Sequence, residues 1–256
     1  MRDAFYRADP DLTLPFQRND GRSAEQLRPL KITPNTFGYG EGSCLVEQGD
    51  TRVIVAATVE ERVPRWMQGK GRGWVTAEYA MLPRATKERT QREVQGGKPG
   101  GRTVEIQRLI GRSLRAVTDL GALGERMVTV DCDVLQADAG TRCASITGGY
   151  VALALACRGL LAKRAIKRDP LTAAVAAISV GVVKGRTLLD LDYSEDGGAD
   201  VDFNVVMTDQ DAYVEIQGTA EKTPFSPAQL AALLELAHLG LADVFAVQKA
   251  VLEAGR

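Results

Sequence analysis

Two stretches of the chain place β-branched runs on either side of a tight, glycine-containing turn. In the first, Ser43 to Gln48 and Thr51 to Val59 flank Gly49-Asp50; in the second, the run from Ala174 to Tyr193 turns near Lys184-Gly185. Strand-forming runs joined by so short a turn read as β-hairpins. Each hairpin is followed by further strand and helix patterns, with no break in composition between the two halves. Hairpin plus helix twice over implies two similar halves sharing one core, a mixed α+β class.

The first half continues with a glycine-rich basic run, Gly69 to Gly73, a short strand near Trp74 to Tyr79, and an unpatterned polar loop from Pro83 to Gly101. Thr103 to Leu120 reads as a helix with Thr103 at its N-cap. Ile106, Leu109, Ile110, Leu114, Val117 and Leu120 fall on one face, and Arg108, Arg112 and Arg115 on the other. Met127 to Gln136 alternates as a strand, and Ala144 to Lys163 forms a second helix. In the second half, strands near Phe203 to Met207 and Tyr213 to Gln217 precede two helices. The first of these opens on the capping box Ser226-Pro227-Ala228-Gln229 and ends at Gly240. Residues 1 to 28 are irregular and polar, an amino-terminal arm ahead of one domain over 29–256.

Composition narrows the chemistry. The 256 residues hold a single histidine, His238, in an apolar carboxy-terminal helix, which leaves little room for a paired-histidine nuclease or a Ser-His-Asp hydrolase. The four cysteines form no CxxC pair and suit reduced, buried thiols. No run approaches the roughly 18 consecutive apolar residues of a membrane span, and the charged amino terminus has no signal-peptide pattern, so the expected location is the cytoplasm. The net charge of −1 conceals a segregation: from Arg62 to Arg115, 13 Lys and Arg stand against 4 Asp and Glu, whereas the remainder holds 19 against 29. A basic patch on an acidic protein attracts polyanions, although it also describes an ordinary arginine-rich surface.

Four constellations carry candidate chemistry. Gly140-Thr141-Arg142 joins a strand end to a helix start, where backbone N–H groups, a hydroxyl and a guanidinium form an anion cradle or a simple turn and cap. Gly100-Gly101-Arg102 places a second arginine where a helix begins. The two arginines can clamp one phosphate only if those helix starts converge. Asp190, Asp192, Glu195, Asp196, Asp200 and Asp202 crowd together after a strand, as hard ligands for Mg²⁺ or as solvated loop acids. Arg84, Lys87, Arg89, Arg92 and Lys98 give the loop the charge to follow an RNA backbone. Trp66, Trp74 and Tyr79 are the only aromatic residues near it in sequence.

The runs Gly73 to Thr86 (GWVTAEYAMLPRAT), Gly101 to Val117 (GRTVEIQRLIGRSLRAV), Asp131 to Asp138 (DCDVLQAD) and Val214 to Glu221 (VEIQGTAE) resemble bacterial ribonuclease PH. The similarity extends from about Asp20 to the carboxy terminus. It implies the ribonuclease PH fold, a ribosomal protein S5 domain 2-like arrangement, and a phosphorolytic 3′-to-5′ exoribonuclease. Such a tRNA nucleotidyltransferase trims the 3′ ends of tRNA precursors, and possibly rRNA, with inorganic phosphate and releases nucleoside diphosphates. In reverse it adds nucleotides.

By the same resemblance Arg102, Gly140, Thr141 and Arg142 bind phosphate, Asp196 and Asp202 are the catalytic and metal-binding carboxylates for Mg²⁺ or Mn²⁺, and Arg84, Arg89 and Arg92 bind RNA. It further implies a homohexamer, a trimer of dimers. The sequence departs from the family's Asp-Gly-Gly-Thr-Arg-Thr at Ala139 and Cys143, which puts phosphate affinity in question. A catalytically silent ring subunit and a hydrolytic, metal-dependent ribonuclease are the competing classes.

Overall fold

In the computed structural model, residues 18–93 and 97–254 are described. The first hairpin pairs β2 (Gly42–Gln48) with β3 (Thr51–Glu60), in the register Gln48↔Thr51 that the two-residue turn dictates. β1 (Leu30–Pro34) adds to its outer edge. On the inner side lie β5 (Met127–Gln136), antiparallel to β3, and β4 (Trp74–Met81), parallel to β5, giving the order β1-β2-β3-β5-β4. A parallel pair needs a crossover connection. Here it is made by α1 (Gly101–Ala116) and α2 (Leu120–Leu123). The crossover puts the carboxy-terminal ends of β4 and β5 side by side.

The second half is a four-stranded antiparallel sheet, β7-β6-β8-β9, built from β6 (Val175–Val183), β7 (Arg186–Leu189), β8 (Val201–Thr208) and β9 (Tyr213–Ala220). The four-residue α4 (Tyr193–Asp196) sits between β7 and β8. α3 (Thr141–Ala162) packs against β2 and β3 of the first sheet and β6 of the second. All nine residues of β6 are buried, with α3 and α5 (Pro227–Ala254) both packed on it, which is why its sequence, VAAISVGVV, shows almost no polar alternation.

Four sequence expectations change. The helix expected to run to Leu120 ends at Ala116, and Leu120 opens the separate α2. Thr103 is the third residue of α1, and Gly100 takes the N-cap. α3 begins at Thr141, three residues earlier than its apolar pattern suggests. The two carboxy-terminal helices are one helix of 28 residues, α5, through which Gly240 passes in mid-course. A Cβ on Gly240 would come within 2.6 Å of buried Leu189, so this glycine serves close packing on β7 and does not end the helix. α3 and α5 also have the length and mean hydropathy of membrane-crossing helices. For α3 that reflects burial between the sheets; for α5 it comes partly from alanines such as Ala231, Ala242 and Ala246 on its exposed face.

A helix comes close to a strand at Gly42, where a Cβ would lie 2.0 Å from the carbonyl oxygen of Ala152 in α3. Neither backbone has a side chain to rotate away. Gly42→Ala is expected to lower stability by about 3 kcal/mol or more, above the usual range for overpacking, measured as the denaturation midpoint. An unchanged midpoint would mean that β2 does not pack on α3 as described.

Candidate active site

After β5 the chain turns through Ala137 to Gly140 and enters α3. Ala139 (φ 57°) and Gly140 (φ 65°) are both left-handed, and no side chain caps the α3 amino terminus. The unoccupied N–H groups of that first turn form a local positive end. The loop is fixed from beneath. Thr51 Oγ1 donates to the Ala139 carbonyl (2.7 Å) and accepts from the Asp138 N–H (3.0 Å). Thr141 Oγ1 shares a 2.8 Å hydrogen bond with the hydroxyl of buried Tyr79 on β4.

Arg102 occupies the first turn of α1, exposed and without a capping side chain on its own helix. Glu93 reaches back from the preceding loop, accepting from Gly100 N–H (3.2 Å) and Thr103 Oγ1 (2.6 Å). Arg142 donates to Gln217 Oε1 on β9 (2.8 Å) and lies 3.6 Å from Glu105 on α1. Gln217 in turn donates to Glu105 (2.9 Å) and Glu215 (3.0 Å). The Arg142 guanidinium is therefore held between the two halves of the molecule.

Asp196 on α4 and Asp202 on β8 face this pair of arginines. Desolvation and the neighbouring Asp196 charge push the Asp202 carboxyl up to about 6, against the opposing pull of Arg142 and Arg102. Partial desolvation also raises Asp196, with Arg102 and then Arg142 opposing it. Arg142 at the start of α3 lies 3.6 Å from Glu105 at the start of α1, so the two helix starts converge, which spacing alone left open. The expected phosphate-binding group Arg102, Gly140, Thr141 and Arg142 and the expected carboxylates Asp196 and Asp202 fall at one place.

The other four acids have structural work. Asp190 and Glu195 are buried and hold three buried arginines. Glu195 accepts from Arg18 Nε (2.7 Å) and Nη2 (2.5 Å). Asp190 accepts from Arg28 through its main-chain N (2.8 Å), Nε (3.0 Å) and Nη2 (2.6 Å), and its carbonyl accepts from Arg18 and Arg22. Asp192 and Glu195 form the capping box of α4, and Asp200 lies 3.7 Å from Lys222. Arg28 reaches further: its Nη1 donates to the Asp138 carbonyl and stands 3.3 Å from the Asp138 carboxylate. Burial alone would lower the Arg28 pKa; Asp190 and Asp138 outweigh it and raise it.

Arg84, Arg89 and Arg92 are exposed on the loop after β4; Arg84 folds back on the Lys87 carbonyl. Residues 94–96 of that loop lie outside the described residues, as do residues 1–17 of the expected arm. The aromatic residues close in sequence do not serve the loop. Tyr79 is buried, and Trp74 stacks edge-on against Trp66 (4.9 Å) and under Arg115 (4.3 Å) at the opposite end of β4. His238 pairs with Asp211 (3.2 Å) on the exposed side of α5. Sequence reasoning missed Arg18, Arg22, Arg28, Glu93 and Gln217, whose partners lie up to 177 residues away and leave no local pattern.

Two models of a 3′ exoribonuclease family match the chain, domain 1 over residues 26–158 and domain 2 over residues 173–240. The chain belongs to the 3′ exoribonuclease family. Among solved structures, it is similar to rice (Oryza sativa) Rrp46, at 20% identity over 91% of this chain and 98% of that one, with a TM-score of 0.74. It is also similar to a chain of the Archaeoglobus fulgidus exosome with RNA bound to the active site, at 21% identity over 94% and 93% of the two chains, again with a TM-score of 0.74. At these identities they speak for the fold, which is the ribonuclease PH fold expected from the sequence.

Both departures from the family pattern now have a location. Cys143 is buried and its thiol donates to Asn204 Oδ1 (3.2 Å), so it faces the core and not the anion loop. Ala139 carries its Cβ in a left-handed conformation that glycine adopts without strain. Ala139→Gly is expected to stabilise the folded protein by up to about 1 kcal/mol, the strain released outweighing the freedom glycine adds to the unfolded chain. A lower thermal midpoint would mean that the loop does not hold this residue at positive φ.

Proposed function

We propose that this family member is a phosphorolytic 3′-to-5′ exoribonuclease of the bacterial ribonuclease PH type. It would trim the 3′ ends of tRNA precursors, and of rRNA, in the cytoplasm as a homohexamer. The observation that carries the reading is the meeting of Arg102 and Arg142 with Asp196 and Asp202. Two guanidiniums at two uncapped helix starts suit a phosphate dianion. Membership in a 3′ exoribonuclease family supplies the class of substrate. The absence of histidine from the site accords with inorganic phosphate, and not an activated water, as nucleophile.

On this reading Arg102, Arg142, Thr141 and the Gly140 turn orient the phosphate. One of its oxygens attacks the 3′-terminal phosphodiester phosphorus as the bond to the upstream O3′ breaks. The shortened RNA keeps that oxygen as a 3′-hydroxyl, and the released nucleotide carries the incoming phosphate as its β-phosphate. Run backward, the same steps extend a 3′ end. The work of the protein is positioning and charge stabilisation. Arg84, Arg89 and Arg92 would contact the RNA backbone on its way in.

A divalent cation fits the remaining pair. Asp202 is driven up to about 6 in part by repulsion from Asp196, and a cation between them relieves that repulsion. Two carboxylates would suit Mg²⁺ or Mn²⁺, which keeps several waters and is held by one or two carboxylates together with substrate phosphates. When bound, such an ion would supply Lewis-acid stabilisation of phosphoryl oxygens.

A 3′-extended tRNA incubated with Mg²⁺, with and without inorganic phosphate, tests the reading. Nucleoside diphosphates that appear only with phosphate are the expected outcome. Monophosphates without phosphate would make the enzyme a hydrolase, and no product at all would favour a silent ring subunit. Arg142→Ala is expected to cut kcat/KM for phosphate by about 100-fold or more, and wild-type values would mean the anion binds elsewhere. For Asp202→Asn, we expect loss of turnover with RNA binding retained in a filter-binding assay; full turnover would remove Asp202 from the reaction.

A further inference from the structure

Tyr193 has a large aromatic ring that the core does not use. It is 53% exposed and belongs to none of the apolar clusters among the described residues. It opens α4, one turn before Asp196, and residues three apart on a helix share a face. Tyr193 and Asp196 therefore share a face of that turn. Its main-chain N–H donates to Asp138 Oδ1 (3.1 Å), two residues ahead of Gly140, which ties α4 to the anion loop. From the other side the arginine loop arrives, with Lys87 Nζ 5.3 Å from the ring centroid.

A cavity of about 400 Å³ opens at this junction, with Asp50, Lys87, Asp138, Asp192, Tyr193 and Ser194 in its wall. That volume is in the range of small-ligand pockets. Its charge argues for what it holds. Its carboxylates repel a phosphate; Asp138 and Asp192 already accept hydrogen bonds from Arg28, Tyr193 and Ser194, exposed Asp50 can accept one from an exocyclic amine, and the exposed ring offers a stacking face. Of the other charged groups in the wall, Arg28 is already saturated by Asp190 and Asp138, and Asp20 adds a further acid. An aromatic face, a hydrogen-bond acceptor and one exposed lysine together describe a nucleobase site, with Lys87 available to the phosphate that follows.

We propose that Tyr193 is the stacking platform for a base near the 3′ end of the RNA, and that the cavity beside it seats that base. The proposal rests on the reading of the site as acting on RNA 3′ ends. Base–aromatic stacking is sequence-tolerant, which suits an exonuclease that must accept whichever base comes next.

Steady-state kinetics test it, with oligoribonucleotides carrying one abasic site at each of the last three positions in turn. Tyr193→Ala is expected to raise KM for intact RNA about tenfold, within the range alanine substitution gives at stacked bases, and to leave KM for phosphate unchanged. Tyr193→Phe keeps the ring and should recover most of that loss. At one abasic position the wild type should lose the same factor and Tyr193→Ala nothing more. Equal RNA KM for wild type and Tyr193→Ala, a further full loss on every abasic substrate, or no recovery by phenylalanine in a protein that melts like the wild type would each overturn the proposal. If the wild type itself makes no nucleoside diphosphate, it is the phosphorolytic reading that fails.

Discussion

The contact on which the site most depends is a buried one between Arg28 and two carboxylates from opposite halves of the chain. Asp190 follows the second sheet's β7, and Asp138 precedes the anion loop of the first half. Arg28 and Asp190 are almost wholly out of water. A buried pair of this kind adds little net stability compared with an apolar substitute, but removing one partner leaves a charge that nothing solvates. Its consequence is orientation. Arg28 sets the distance between the loop that carries Gly140 and the turn that leads into Asp196, and Arg18 and Arg22 extend the same lattice to Glu195 on α4 itself.

Around that lattice the charges divide by accessibility. Arginines with buried carboxylate partners are consumed by the fold, and Arg102 is left facing solvent at a helix start. Arg142 lies between these extremes, tethered to Gln217 yet close enough to Asp196 and Asp202 to pull on both. The result is a local cluster of two cations and two anions at the carboxy-terminal ends of parallel strands β4 and β5. Partial burial strengthens every interaction there, which suits a reaction carried out by orientation of phosphates.

Much of this was legible in the sequence. β-branched runs around short turns revealed both hairpins, and period-two alternation gave β5 with its observed limits, because β5 has one face buried and one wetter. The same rule was silent on β6, which is enclosed on both faces. Gly240 was misread as a helix end because a glycine that admits a close neighbour and a glycine that stops a helix look alike in one dimension. The candidate residues Arg102, Gly140, Thr141, Arg142, Asp196 and Asp202 were all visible as residue types in a pattern. Which of the six clustered acids are bound to buried arginines was not visible, since it depends on Arg18, Arg22 and Arg28, more than 160 residues away.

The sequence by itself determined the α+β class, the two-hairpin plan, the segregation of positive charge and the arginines at two helix starts. These are local properties, set by backbone sterics, side-chain periodicity and composition over a few residues. Only the tertiary structure decided that two helix starts converge, that Asp190 and Glu195 are bound to buried arginines while Asp196 and Asp202 are not, and that Tyr193 is exposed at the start of α4. Those outcomes are differences in burial and distance between segments far apart in the chain. They arise when α3 is enclosed by two sheets and a guanidinium is fixed between them.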